Sequence, residues 1–271
     1  MDTRIEQHLS VVESKAASVY ERLLQDIVPG ETQERADFAN FLALMHVRTP
    51  AVRRMMAEVV SHSHQVRSYV CATNNKLFDS FIRSFQEDGG SLTEEEISHI
   101  RSGMIDPGGY ILEIPKELTL NCLEVSDELT PLFFKMNWSL VRPRHSFFIT
   151  SDNPVVRMVN PYTRHPAFGD LGFYNKTAVV MFPLSPQMLL RLSWERVPAR
   201  FVIEREHVTH LNRKLAAHSE RYLYAHLLDK RLKKLAAEFK DKRPAIAVTT
   251  SGGLRPEKFA ETRLRRRSTR S

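Results

Sequence analysis

Apolar residues recur near the start of the chain at three- and four-residue steps: Ile5, Leu9, Val12, Ala16, Val19 and Leu23. That spacing draws one stripe along a helix. It stops at Val28-Pro29-Gly30, where proline and glycine break the pattern. Thr32 is placed to cap a second helix, with Arg35 where a capping box would carry glutamate. Phe38, Phe41, Leu42 and Met45 give that helix its apolar face, and Pro50 sets its end near Thr49. A long helical region is expected from Ala51 to about Gln86, closed by Gly89-Gly90. Thr93, with Glu96 three residues later, forms a capping box that opens the next helix. Asp106-Pro107-Gly108-Gly109 marks a loop, and a further helix is expected from Pro115 to about Lys135.

After Trp138 the pattern changes. WSLVR, FFIT, VVRMV, TAVVMFPL and QMLLRLSW are short runs rich in β-branched and aromatic residues, separated by turn residues. Pro186-Gln187 suits a tight connection between two of them. Helical spacing returns at His207 with Val208, Leu211, Leu215, Tyr222 and Leu223, and runs on into LLDKRLKKLAAEF. Helices, then strands, then helices predict an α+β fold. The expected arrangement is a helical amino-terminal layer packed on a small, mainly antiparallel sheet, followed by carboxyl-terminal helices. One domain is expected over residues 1–250, with helices over residues 1–136, the sheet within residues 137–203 and late helices over residues 204–243. Residues 251–271 read as a flexible basic tail.

Charge sharpens that division. The 271 residues carry a net charge of +7. From Asp229 onward, 14 lysines and arginines face 5 acidic residues, a local +9 that leaves the first 228 residues at −2. Arg263, Arg265, Arg266, Arg267 and Arg270 are therefore candidates for contact with nucleic acid, ribosome or another polyanion. Few aromatic residues accompany them, so base stacking has little support. No apolar run reaches the roughly 18–20 residues of a membrane span. Two cysteines, Cys71 and Cys122, and an amino terminus without an apolar signal core give the expectation of a soluble, cytoplasmic protein. Oligomeric state is not written in these features.

The segment FFITSDNPVV (147–156) concentrates the candidate chemistry. An apolar run ends in Ser151, Asp152 and Asn153, and Pro154 holds Asn153 extended. Two readings stand open. The polar residues can satisfy the backbone at a sharp corner through Asx-type turns. Alternatively, a rigid strand presents them together at its end as reactive groups. Ser151 lacks the glycine-flanked elbow of α/β-hydrolases. Glu6 and Glu13 lie seven apart on one helix face, and Glu13 sits among Val12, Ala16 and Ala17, where burial would demand a partner. His46 and Arg48 end the second helix, where the dipole favours cations. Arg48 can instead reach Glu13 or Asp152, or hold a phosphate. A cluster of Glu13, Arg48 and Asp152 is the preferred candidate site, with Asn212 and Arg221 of the late helix as further substrate contacts. Asp152 and Glu13 also suit a divalent metal such as Mg²⁺. His207, His210 and His218 share about 80° of a helix face, but no HExxH or HxxEH pattern accompanies them.

Several of these stretches together resemble a bacterial family, domain of unknown function 4238 (DUF4238). FITSDNPV followed by MFPLSPQMLLRL, IEQHLSVVESKAA with its two spaced glutamates, FANFLALMHVRTPAVR and LNRKLAAHSERYLYA carry the resemblance. Members are associated with a His-Tyr-x-Pro-type segment ahead of the two-glutamate helix, and the present sequence starts after it. The resemblance then implies a shortened member or a start inside a longer reading frame, inactive if that histidine is essential. It implies no established reaction. Two function classes remain: a hydrolase or nuclease-type enzyme acting on an anionic, phosphate-bearing substrate, or a non-enzymatic nucleic-acid- or ribosome-binding module working through the tail.

Overall fold

The structure, a computed structural model, describes residues 3–87, 90–106, 118–160, 162–163 and 172–240, without the side chains of 3–6, 8 and 118–124. Within these residues eight α-helices accompany a small mixed sheet, so the fold is α+β. Two compact units separate: one gathers Met1–Arg54 with Thr119–Thr249, the other Met55–Leu118.

In the first unit, α1 (Thr3–Leu24) buries Val12, Ala16, Val19 and Leu23, the stripe its spacing predicts. It contacts α2 (Gln33–Val47), which buries Phe38, Ala39, Leu42 and Ala43. Thr32 stands at the N-cap of α2 but makes no side-chain cap bond. Arg35 does a different job from a capping glutamate: its guanidinium donates to the carbonyls of Phe134 and Met136 and lies 4.8 Å from the Trp138 ring. Thr49 divides α2 from α3 (Pro50–Thr73). Its hydroxyl donates to the His46 carbonyl at 2.9 Å and accepts from the Val52 amide at 3.5 Å, while Pro50 takes the first helical position, where no amide is needed.

The sheet has the order β3-β4-β5-β1-β6. Here β1 is Asn137–Pro143, β3 Val156–Met158, β4 Val179–Ser185, β5 Met188–Ser193 and β6 Arg200–Ile203. All neighbours are antiparallel except β1 and β6, which run parallel. Ser185 pairs with Met188 across Pro186-Gln187, the tight connection expected there. Helix α6 (Leu118–Lys135) leads into β1, and Tyr20 of α1 donates its hydroxyl to the Leu184 carbonyl of β4, joining the helical layer to the sheet. Val141, Phe148, Ile149, Val156, Met181 and Leu189 form a core with Val208, Leu215 and Ala216 of α7 (Arg205–His218).

Three expectations are corrected. Phe147–Ile149 is not a strand; only Thr150–Ser151 pairs, as β2, with β7 (Leu223–Tyr224). The helical pattern after His207 is not continuous: α7 stops at His218, β7 intervenes, and α8 (Lys230–Phe239) begins at the Asp229 cap. The stretch from Ala51 to Gln86 is two helices, α3 and α4 (Asn75–Glu87), divided at Asn74, whose side chain accepts from the Leu77 amide at 3.3 Å.

The second unit contains most of α3, α4 and α5 (Glu94–Ile105). Ala72, Phe78 and Ile82 form its core with Ile97, Ile100 and Met104. The Thr93–Glu96 capping box is formed in both directions.

Candidate functional site

The Ser-Asp-Asn-Pro corner is built mainly by its own hydrogen bonds. Ser151 donates to the Asn153 carbonyl at 2.9 Å and accepts the Asn153 amide at 3.2 Å. The Asp152 carboxylate accepts three main-chain amides: Glu220 at 2.9 Å, Arg221 at 2.8 Å and Tyr222 at 3.3 Å. Those amides lie just beyond the end of α7, outside its hydrogen-bond ladder, and need acceptors from elsewhere. Asp152 therefore fixes the 220–222 turn, and its oxygens are committed to that task. Asn212 of α7 is committed too: it accepts the Ile149 amide at 3.2 Å and donates to the Phe147 carbonyl at 2.9 Å. Arg221 reaches the corner through its amide, and the residue is exposed.

Of the expected trio, Glu13 and Arg48 meet at 3.1 Å, both half exposed. Among the described residues no hydrogen bond or ion pair joins Asp152 to either of them. The corner is instead tied to another pair. Glu220, whose amide Asp152 holds, takes a two-pronged grip from Arg54 at 2.7 and 3.0 Å, with its side chain only 6% exposed. The Glu6 side chain and the tail arginines Arg263, Arg265, Arg266, Arg267 and Arg270 lie outside the described residues. No group of three or more His, Cys, Asp or Glu that could hold a metal gathers among the described residues. Both Asp152 oxygens accept main-chain amides and Glu13 Oε1 accepts from Arg48, so among the described residues the two carboxylates are not gathered around a common point.

The corner has a second face, made of residues outside the expected trio. His46, near the end of α2, packs edge-on against Phe173, ring centroids 5.1 Å apart. Its Nδ1 is sealed from solvent without a hydrogen-bond partner among the described residues, and so is Oδ1 of Asn153, a residue only 5% exposed. Burial pushes the His46 imidazole down to about 4; the Val155 main chain opposes that shift, while Arg157 and His218 reinforce it. At His46 desolvation outweighs the helix dipole, so of the two basic residues at the end of α2 it is Arg48, the C-cap, that carries the charge there. His218 is also pushed down, first by burial, with Lys214 and Arg157 adding repulsion. Its Nδ1 lies 2.8 Å from the Lys214 carbonyl, which can only accept, so Nδ1 carries the proton and Nε2 keeps the lone pair. Arg157 of β3 donates to the Gly172 carbonyl at 3.2 Å, with its guanidinium carbon 5.6 Å from the Phe173 ring that His46 also touches. Residues 153–157 thus carry a buried amide oxygen and a guanidinium, and the imidazoles of His46 and His218 both lie within electrostatic reach of Arg157.

A protein-family model, described as a protein of unknown function (DUF4238), matches residues 1–227. The chain belongs to that family. Neither the curated proteins nor the solved structures contain a match. The match covers the Glu13–Arg48 pair, the Asp152 corner and both partly buried histidines, and it ends just before α8.

A separate groove of about 440 Å³ between α2 and α6 is lined by Gln33, Asp37, Asn40, Asp127, Thr130 and Phe134 among others, and by none of the residues expected from sequence. The signals for His46 and His218 were faint but present. His46 sits between buried Leu44 and Val47, and His218 lies two and three residues after buried Ala216 and Leu215. A histidine on an apolar helix face is one whose charge must be suppressed or paired.

Proposed function

We propose that the protein is a hydrolase-type enzyme acting on an anionic, phosphate-bearing substrate, with His46 as general base. One observation carries this reading: among the described residues His46 Nδ1 and Asn153 Oδ1 are buried without hydrogen-bond partners, and His46 meets the main chain of Val155, two residues after Asn153. Folded proteins pair more than about nine in ten buried polar atoms, so two such orphans favour a site that a substrate completes. A neutral imidazole with a free lone pair accepts a proton from water as its oxygen bonds to phosphorus. The proton returns to the leaving oxygen as the phosphorus–oxygen bond breaks. Arg157 faces the developing negative charge, Arg48 supplies a second, solvent-facing guanidinium oriented by Glu13, and Asn153 Oδ1 accepts from substrate or water. In this reading Asp152 positions the corner and takes no part in the chemistry. The sparse cysteine content supports a cytoplasmic setting for the reaction.

The test is turnover of a panel of phosphate esters and nucleic acids by wild type, His46→Gln and Asp152→Asn. His46→Gln is expected to lose about 10²–10⁴-fold while staying folded. Asp152→Asn is expected to lose activity only in proportion to unfolded protein. Full activity in His46→Gln refutes the assignment.

The partition of charge supports a second reading, a nucleic-acid- or ribosome-binding role for the arginines of residues 263–270. It needs no chemistry at the corner.

A further inference from the structure

Leu227 and Leu228 are 58% and 72% exposed on a two-residue shoulder ahead of α8. The shoulder is fixed on both sides. His226 packs edge-on against Phe147, ring centroids 4.5 Å apart, and Asp229 accepts the Leu232 amide at 2.7 Å as the cap of α8. Adjacent leucines held in water by anchored neighbours add little burial to the fold. Helix α8 is two-sided. Leu232, Leu235 and Phe239 pack on the core of the first unit. At 100° per residue, Lys230, Lys233, Lys234 and Lys240 fall within about 120° of arc on the opposite side, and all four are exposed. Glu238, the one acidic residue within the helix, is taken up by Arg213 of α7 at 2.5 and 2.8 Å.

We propose that Leu227, Leu228 and the lysine face of α8 form a docking surface for an anionic lipid bilayer. The lysines are drawn to lipid phosphates, and the leucines enter the boundary between headgroups and acyl chains. A nucleic acid meets the lysines equally well but has no use for two aliphatic side chains, because bases stack on aromatic rings. Attachment is peripheral, since no helix among the described residues is long and apolar enough to cross a membrane. The lysine helix lies beyond the family match, so family membership does not imply this surface. It is also independent of the proposed chemistry at His46.

The experiment is co-sedimentation of the full chain with vesicles of phosphatidylcholine, alone or mixed with phosphatidylglycerol. Retention on single-stranded RNA is measured in parallel. Wild type is expected to bind the mixed vesicles and not the neutral ones. Leu227→Ser with Leu228→Ser should weaken vesicle binding at least tenfold and leave RNA retention unchanged; Lys230→Gln, Lys233→Gln and Lys234→Gln should cost about fivefold each. The carboxyl-terminal arginines are present in every variant, so their attraction for anions cancels. No binding to mixed vesicles overturns the proposal, as does wild-type vesicle binding by the leucine variant. Loss of RNA in step with vesicles would assign the surface to nucleic acid instead.

Discussion

At His46 two elementary effects compete. The carboxyl end of α2 offers an imidazolium about 0.3–1 kcal/mol of dipole stabilisation. Burial against Phe173, with Arg157 and His218 as electrostatic neighbours, opposes the charge and lowers the pKa from 6.5 to about 4. The sign of the consequence follows from linkage. Between these values the unfolded chain binds a proton that the folded one does not. The contribution is full above pH 6.5 and is lost as pH falls through about 4, at up to about 1.4 kcal/mol per pH unit. Urea denaturation at pH 7 and pH 5 should therefore show wild type losing about 1–2 kcal/mol more than His46→Gln. His218 is shifted the same way and remains in both proteins, so the comparison isolates His46. Equal losses in the two proteins would show that folding leaves the proton affinity of His46 unchanged. If His46 is the base, the acid limb of activity should likewise lie near pH 4 and not near the ordinary histidine value.

Elements in this fold are terminated as much by distant side chains as by their own sequence. Phe147–Ile149 has strand composition, yet Asn212 of α7 takes the hydrogen bonds a neighbouring strand would make. Asn212→Ala strands the Phe147 carbonyl and the Ile149 amide, and Ile149 is only 2% exposed. The expected cost is about 2–4 kcal/mol, read as a lower denaturation midpoint with faster hydrogen exchange at the Ile149 amide. An unchanged midpoint would mean that water replaces the amide at no cost. The same long-range logic explains what could be read from the sequence. The α1 stripe, the Thr93–Glu96 box, the Pro186-Gln187 turn and the Thr49-Pro50 junction depend on residues a few positions apart, and all were legible. The break after His218 depends on Asp152, 68 to 70 residues away from the amides it holds, so periodicity ran straight through it. β6 was missed because its residues are half buried or exposed and carry Arg200 rather than a continuous apolar run. In the candidate site, the Glu13–Arg48 pair was legible because Glu13 is one of the two partners open to Arg48, although Glu13 lies half exposed beside the buried stripe and not within it. Asp152 was legible as a residue that either satisfies the backbone at a corner or presents a reactive group, and the choice stayed open because its three amide partners come from another element. His46 needed its burial against Phe173, with Arg157 and His218 in place, before its suppressed charge had any cause.

Across the whole molecule, charge is distributed with a purpose that folding does not require: −2 over the first 228 residues and +9 over the remainder. Such an asymmetry acts on association with polyanions, not on the choice of fold. Removing residues 255–271 takes away seven lysines and arginines and two glutamates, lowering the net charge from +7 to +2. The lysines of α8 stay in place. If the carboxyl-terminal arginines bind nucleic acid, each phosphate they no longer neutralise reduces the slope of log affinity against log salt by about 0.9 on duplex DNA and about 0.7 on single strands. Affinity at low salt should then fall steeply, while the urea midpoint and any turnover of small phosphate esters stay at their full-length values. Filter binding of the full-length and shortened chains across a salt series measures both quantities. The slope separates two outcomes that a single affinity would confuse. A weaker but equally salt-sensitive complex places the phosphate-binding groups elsewhere on the protein, whereas a flattened salt dependence locates them in the removed residues. An unchanged affinity and slope leave those seven cations without a nucleic-acid role, and the −2 body with its partly buried histidines then has to account for function by itself.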